Sequence, residues 1–278
     1  MNKTICTLTG WLCLTLLAVS CQKSNDSNDL PTTIETQPAI LKPVTQDIGN
    51  KIGGYYEALP AGYSQTQGKY PLLIFLPGAG QYGSGSSTDL AKVLTDGTPL
   101  LLKQQKFPPD FLVNGQHFSF IVLVPQFKSE PLYADLQSFV DYAFTKYRAN
   151  KSYFYLTGFS LGARQSAEFG VLQPMTPAAI VTMAGAYTYN LPTTVKGIAD
   201  NKLPVWCFHN EQDQVLPSKE TKDFVAAINS YNPAIPARQT IFPTSDAVLK
   251  HDCWTKVSDP AYKENGLNIY EWMLSYKR

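Results

Sequence analysis

Ser160 is the residue of this chain best placed to act as a nucleophile. It sits in Gly158-Phe159-Ser160-Leu161-Gly162, a G-x-S-x-G pattern. The apolar run Tyr153–Thr157 precedes it directly, and a helical pattern over 161–172 follows at once. A serine on such a sharp strand-to-helix turn holds its hydroxyl out. Glycines two residues away on either side let strand and helix approach closely. The start of the helix adds positive partial charge beside the oxygen. A serine hydroxyl is nonetheless a weak nucleophile and needs a base that is held in turn by an acid. The bases on offer are His117, His209 and His251. His117 lies in a loop before the serine. The acids on offer are Glu211 and Asp213, in the turn after the run Pro204–Phe208. Asp252 adjoins His251, so its side chain is expected to face solvent or cap a helix.

A second stretch has two readings. Gly78-Ala79-Gly80-Gln81-Tyr82-Gly83 follows the apolar run 71–76 and fits G-x-G-x-x-G, a dinucleotide fingerprint. That reading requires a helix opening inside the glycines and an acid ending a second strand roughly 20 residues on. Here Ser84-Gly85-Ser86-Ser87 prolongs the loop, and Asp96 falls within a helical pattern. The better reading is a loop whose backbone N–H groups hold a developing oxyanion, with Ala79 giving one and Leu161, after the serine, the other.

The elements that must position these residues alternate. Continuous apolar runs at 71–76, 118–124, 153–157, 179–184, 204–208 and 238–242 suit strands buried on both faces of a parallel sheet. Between and after them lie helical patterns over 88–105, 132–148, 161–172, 217–230 and 267–276. Residues 44–58, broken by glycines, predict a β-hairpin. Strands alternating with helices imply an α/β fold with a mainly parallel sheet and helices on both faces. With no repeat and no second linker, residues 44–278 form a single domain.

The chain has 278 residues, 44% of them hydrophobic and 16% charged, which is a core-forming composition. Its formal charge is +1, without the basic excess of a nucleic-acid binder. Five cysteines are too few for a disulfide scaffold, and three lie in the first 21 residues. Lys3 followed by the uncharged apolar stretch Ile5–Val19 reads as a secretory signal, too short to span a bilayer comfortably. Leu17-Ala18-Val19-Ser20-Cys21 resembles a bacterial lipobox, which makes residues 1–20 a signal peptide and Cys21 the lipidated residue. Residues 21–43 then form a flexible tether, and the protein is expected outside the cytoplasm, on the membrane only through that lipid anchor. Removing residues 1–20 takes away one lysine and leaves 258 residues of zero formal charge. Cys207 and Cys253 remain, either as a disulfide or as two packed thiols.

Several landmarks occur together: Leu59-Pro60-Ala61-Gly62-Tyr63, Tyr70–Leu76, Pro125-Gln126, Tyr155–Ser160 and His251-Asp252-Cys253-Trp254-Thr255. From about Gly53 onward the chain resembles the secreted α/β-hydrolase esterases of the phospholipase/carboxylesterase and polyhydroxybutyrate-depolymerase-like type, common as lipoproteins in Bacteroidetes. The resemblance implies the chain order serine, acid, histidine. It therefore implies Ser160 as nucleophile, Asp213 as acid and His251 as base. His209-Asn210-Glu211-Gln212-Asp213-Gln214-Val215-Leu216-Pro217 resembles the family turn H-G-x-x-D-x-x-V-P, which puts Asp213 in the acid position and leaves Glu211 as the fallback. His209 then reads as structural. Asn210 replaces the turn glycine and is expected to tolerate left-handed backbone angles. Pro77 replaces the histidine of the usual L-H-G signature, and Ala163 a glycine common after the elbow.

The activity implied is hydrolysis of carboxylic esters through an acyl-enzyme, by a monomer needing no metal and no cofactor. The substrate is a small-molecule or polymer-borne ester, including acyl groups on plant or polysaccharide-derived material. Two other uses of the scaffold are an oligopeptidase with the same triad and a glycan- or peptide-binding surface lipoprotein without turnover. Pocket walls are expected from loops 79–90, 127–133 and 185–200, with Tyr82, Phe127, Tyr187 and Tyr189 as candidate aromatic contacts.

Overall fold

A computed structural model describes residues 30–171, 176–187 and 191–278. The signal, the lipidation site and the first nine residues of the expected tether, residues 1–29, lie outside the described residues, as does Tyr189.

An eight-stranded sheet organises the domain. Its strands are β1 (Ile40–Val44), β2 (Ile52–Leu59), β3 (Tyr70–Leu76), β6 (Ile121–Phe127), β7 (Ala149–Phe159), β8 (Ala179–Met183), β9 (Val205–Asn210) and β10 (Arg238–Phe242). A separate hairpin is formed by β4 (Phe111–Val113) and β5 (Gln116–Phe118). The sheet order is β1-β2-β6-β3-β7-β8-β9-β10. β1 and β2 pair antiparallel, as does β2 with β6; from β6 to β10 every pairing is parallel. The carboxyl ends of β3, β6, β7, β8, β9 and β10 consequently share one edge.

Side-chain alternation explains the layers. Leu72, Ile74 and Leu76 of β3 enter one buried cluster with Phe139, Phe169 and Phe224, while Leu73 and Phe75 enter another with Phe111, Trp254 and Tyr270. The first cluster is covered by α3 (Tyr133–Lys146), α4 (Leu161–Phe169), α5 (Leu191–Asp200) and α6 (Lys219–Asn229). The second is covered by α2 (Gly97–Lys103), α7 (Trp254–Ser258) and α8 (Ile269–Leu274), with the hairpin beside α8. This is the α/β-hydrolase architecture expected, one domain with a mainly parallel sheet between helices.

Three differences have physical reasons. The expected helix over 88–105 is broken into α1 (Ser87–Leu90), a 3-10 turn (Ala91–Leu94) and α2, because Gly97 takes φ +57° and interrupts the run. The expected loop over 185–200 contains α5, whose Val195, Ile198 and Ala199 are buried. Residues 30–43, read as tether, are partly built into the domain. β1 begins at Ile40, and the Gly62 N–H donates to the buried Glu35 carboxylate at 3.0 and 3.2 Å.

Candidate active site

Ser160 lies between β7 and α4 with φ +54° and ψ −118°. A non-glycine residue there costs on the order of 1–3 kcal/mol and persists only where the surroundings hold it. Here they do. The Ser160 N–H donates to the Met183 carbonyl of β8 at 2.9 Å. A Cβ on Gly158 would stand 2.5 Å from the Leu76 carbonyl oxygen, and one on Gly162 would overlap that same oxygen. The two glycines of the motif are therefore required by the end of β3, the neighbouring strand.

Ser160 Oγ lies 3.1 Å from His251 Nε2, and His251 Nδ1 lies 2.7 Å from Asp213 Oδ2. The three expected residues come together although 91 positions separate the serine from the histidine. The Asp213 side chain is fully buried and its carboxylate is saturated. Oδ1 accepts the Val215 and Leu216 N–H groups at 2.8 and 3.0 Å, and Oδ2 also receives His209 Nε2 at 3.1 Å. Burial pushes this carboxyl up, but the donors from His209, His251, Leu216 and Val215 outweigh it and hold the group well below the usual carboxylate range. Asp213 is thus an anion aimed at His251 Nδ1.

Two supporting residues were not legible as such in the sequence. His209 is indeed buried, and it also touches the acid. Its Nε2 lies 2.9 Å from the Leu216 carbonyl, which can only accept, so the proton sits on Nε2 and also serves Asp213. Nδ1 is left to accept from Thr221 Oγ1 at 2.8 Å. Asn210 does not take left-handed angles; it ends β9 in extended form. Its Nδ2 donates to the carbonyls of Lys250 and Asp252, at 2.8 and 3.0 Å, bracketing His251. The bracket is needed because Leu249 and Lys250 both take φ +53° just before the histidine. Gln214 N–H adds a bond to the Leu249 carbonyl at 2.9 Å. The available sequence signal was a polar amide closing a buried strand.

The other candidates lie elsewhere. Glu211 is engaged by Lys222 at 2.7 Å, and His117 Nδ1 is 2.7 Å from Asp110. Asp252 caps α7, accepting Thr255 N–H at 2.8 Å. Cys207 and Cys253 are free and buried; burial pushes the Cys207 thiol up to about 12 and raises that of Cys253 well above its ordinary value. Tyr187 is core, stacked on Phe224 at 4.0 Å, and Phe127 is fully buried. Neither faces a ligand, whereas Tyr82 is half-buried.

Ala79 opens a 3-10 turn (Ala79–Gln81) directly after β3, and Leu161 is the first residue of α4. N–H groups in a first helical turn have no carbonyl one turn back to bond, so both are available to a ligand. Two recesses border the site's segments. A polar one of about 500 Å³ lies beside the histidine loop, lined by Asn210, Thr244, Ser245, Asp246, Asp252 and Lys256 among others. A small apolar one is lined by Pro131, Leu132, Tyr133 and Phe169, with Gln165 and Glu168. No group of three or more His, Cys, Asp or Glu among the described residues could hold a metal ion.

Residues 63–247 match the phospholipase/carboxylesterase family. No curated protein matches the sequence. Among solved structures, a thermostable esterase is similar over 86% of this chain at 19% identity with a TM-score of 0.62. This chain spans 63% of the length of that esterase. A bifunctional GH43-CE protein of Bacteroides eggerthii matches over 84% of this chain and 37% of its own, at 14% identity and TM-score 0.55. A ferulic acid esterase matches over 78% and 92%, at 14% identity and TM-score 0.50. At these identities the structures establish the fold.

Proposed function

The chain belongs to the phospholipase/carboxylesterase family, and we propose that within it the protein is a serine esterase working through an acyl-enzyme. The observation that carries this reading is the relay Ser160 Oγ–His251 Nε2 at 3.1 Å and His251 Nδ1–Asp213 Oδ2 at 2.7 Å. Ser160 Oγ attacks the acyl carbon while His251 Nε2 takes its proton, at a separation within hydrogen-bond reach. Asp213, kept ionised, holds the proton of His251 on Nδ1 and stabilises the imidazolium. The N–H groups of Ala79 and Leu161 receive the tetrahedral oxyanion. Collapse expels the alcohol, which takes the proton from His251. A water deprotonated by His251 then releases the acid and restores Ser160.

Purified protein is expected to hydrolyse p-nitrophenyl acetate and to be labelled by a fluorophosphonate. Ser160→Ala should lose labelling and on the order of 10³-fold or more of kcat. Equal labelling of both proteins overturns the mechanism. Saturable glycan binding without turnover, indifferent to Ser160→Ala, would replace it with the binding role.

The substrate class in this proposal is a bulky or polymer-borne ester. The connections at the carboxyl edge among the described residues are turns and helices. The polar recess beside the histidine loop suits a hydroxyl-rich alcohol. Comparing acetylated and feruloylated glycans with short-chain aryl esters tests this, and a preference for the small aryl esters would count against it.

The proposal also sets the protein outside the cytoplasm on a lipid at Cys21. The first described residues lie at the end of the sheet opposite Ser160. Leu30, Pro31 and Thr32 lie with Asn150, Ser152 and Tyr153 at the start of β7, while Ser160 follows its end, roughly 25 Å away at strand rise. Metabolic labelling with a lipid analogue, abolished by Cys21→Ser, is the expected result.

A further inference from the structure

Asp96 occupies the N-cap position of α2 in extended conformation, the place where an aspartate ordinarily caps its own helix. Its side chain makes no such bond. Both carboxylate oxygens are turned instead toward the site. Oδ2 accepts Gln81 Nε2 at 2.9 Å, with Thr95 Oγ1 2.6 Å from the same oxygen, and Oδ1 accepts Trp254 Nε1 at 3.2 Å. Gln81 closes the 3-10 turn that Ala79 opens, and its carbonyl is held by Gln126 Nε2 at 3.0 Å. Trp254 lies three residues after His251 and is nearly buried. Its ring stacks on Phe159, the residue before the nucleophile, at 4.3 Å and 25°, and meets the His251 ring edge-on at 5.1 Å.

One carboxylate therefore joins three segments distant in sequence: the turn after β3, the elbow through Phe159, and the histidine segment through Trp254. We propose that Asp96 is a positioning residue that fixes the oxyanion-binding turn relative to His251, an inference that rests on the esterase reading above. The reacting geometry depends on both parts at once. The base must reach the serine proton while the turn meets the oxygen developing on the same carbon, and a misplacement of about 1 Å can cost on the order of 100-fold. Both links run to acceptor oxygens of Asp96. Gln81 Oε1 is buried without a partner among the described residues, so an amide at 96 is accommodated by a turn of the Gln81 amide, whereas Asp96→Ala removes both acceptors.

Asp96→Ala and Trp254→Phe test this, the second keeping a ring against Phe159 while removing the indole N–H. With p-nitrophenyl acetate, each is expected to lower kcat about tenfold with KM within about twofold, the pattern of a transition-state defect. The double variant should be no worse than the poorer single, because both break one connection. NMR supplies a readout without turnover. In Asp96→Ala the amide resonances of Ala79 and Gly80 and the ring resonances of His251 should shift together. The inference is overturned if kcat of Asp96→Ala stays within twofold of the parent, if the two substitutions add independently, or if only one group of resonances moves. A parent protein without esterase activity would sink the esterase reading and leave the resonances to decide whether Asp96 couples the two segments.

Discussion

The elbow at Ser160 and the loop at His251 hold the proposed nucleophile and base in strained surroundings by opposite means. At the elbow the strain sits on Ser160 itself, and its causes are local or one strand away. Gly158, Gly162, the end of β3 and the Met183 carbonyl impose it. At the histidine the strain sits on Leu249 and Lys250, and its restraints come from residues about 40 positions earlier. Asn210 clasps the carbonyls on either side, Gln214 pins Leu249, and Asp213 holds the ring. A short segment with a fixed pattern can specify the first arrangement. The second exists only once β9 and its following turn lie beside the loop after β10.

Substitutions on the two sides separate these mechanisms. The largest loss belongs to the relay: Asp213→Asn should lower kcat by on the order of 10³-fold or more, because His251 Nδ1 loses its anionic acceptor. The same variant carries a stability signature. The native carboxyl of Asp213 lies below its ordinary range, so its contribution is complete above that range and disappears as pH falls through the native value. The difference in Tm between parent and Asp213→Asn should be widest at neutral pH and shrink below about pH 4. A difference constant down to pH 3 would contradict that sign.

Gly162→Ala attacks the elbow. The overlap with the Leu76 carbonyl forces strand and helix apart, and a cost of about 3 kcal/mol would lower Tm by roughly 6–12 °C. Thermal unfolding of this variant within a degree or two of the parent would show that the glycine is not held by β3. Asn210→Ala attacks the histidine loop. Two carbonyls lose their donor, and kcat should fall about tenfold with a smaller Tm change, since the restraint acts on placement more than on burial. If Asn210→Ala keeps full activity, the loop is positioned by its own backbone and the contrast with the elbow fails. Glu211→Gln should change kcat by less than about twofold, because that carboxylate faces Lys222 and an exposed pair contributes little.

Much of this molecule could be read along the chain. Runs such as Pro71–Leu76 and Ala179–Met183 are apolar without interruption because both faces of a parallel strand are buried, and β3 and β8 occupy those stretches. Ser160 was readable because its glycines stand at fixed short offsets. Gly97 and α5 show where such reading stops. A glycine inside a helical period is tolerated or disruptive according to its φ, and at Gly97 the φ is +57°. α5 was lost among turn residues at its start, though Val195 and Ile198 bury one face.

The order of serine, acid and histidine comes from the family resemblance, whereas the alternation of strands with helices and the sharp turn at Ser160 follow from short-range pattern, since periodicity and glycine placement act within a few residues. Asn210 and Asp96 do not. Each carries a residue type with an ordinary local use, a turn for one and a helix cap for the other, and neither has that use here. Their donors and acceptors point to partners far along the chain, at Lys250 and Asp252 in one case and at Gln81 and Trp254 in the other. A hydrogen bond depends on separation and angle in space, and those were set when the sheet brought its carboxyl ends to one edge.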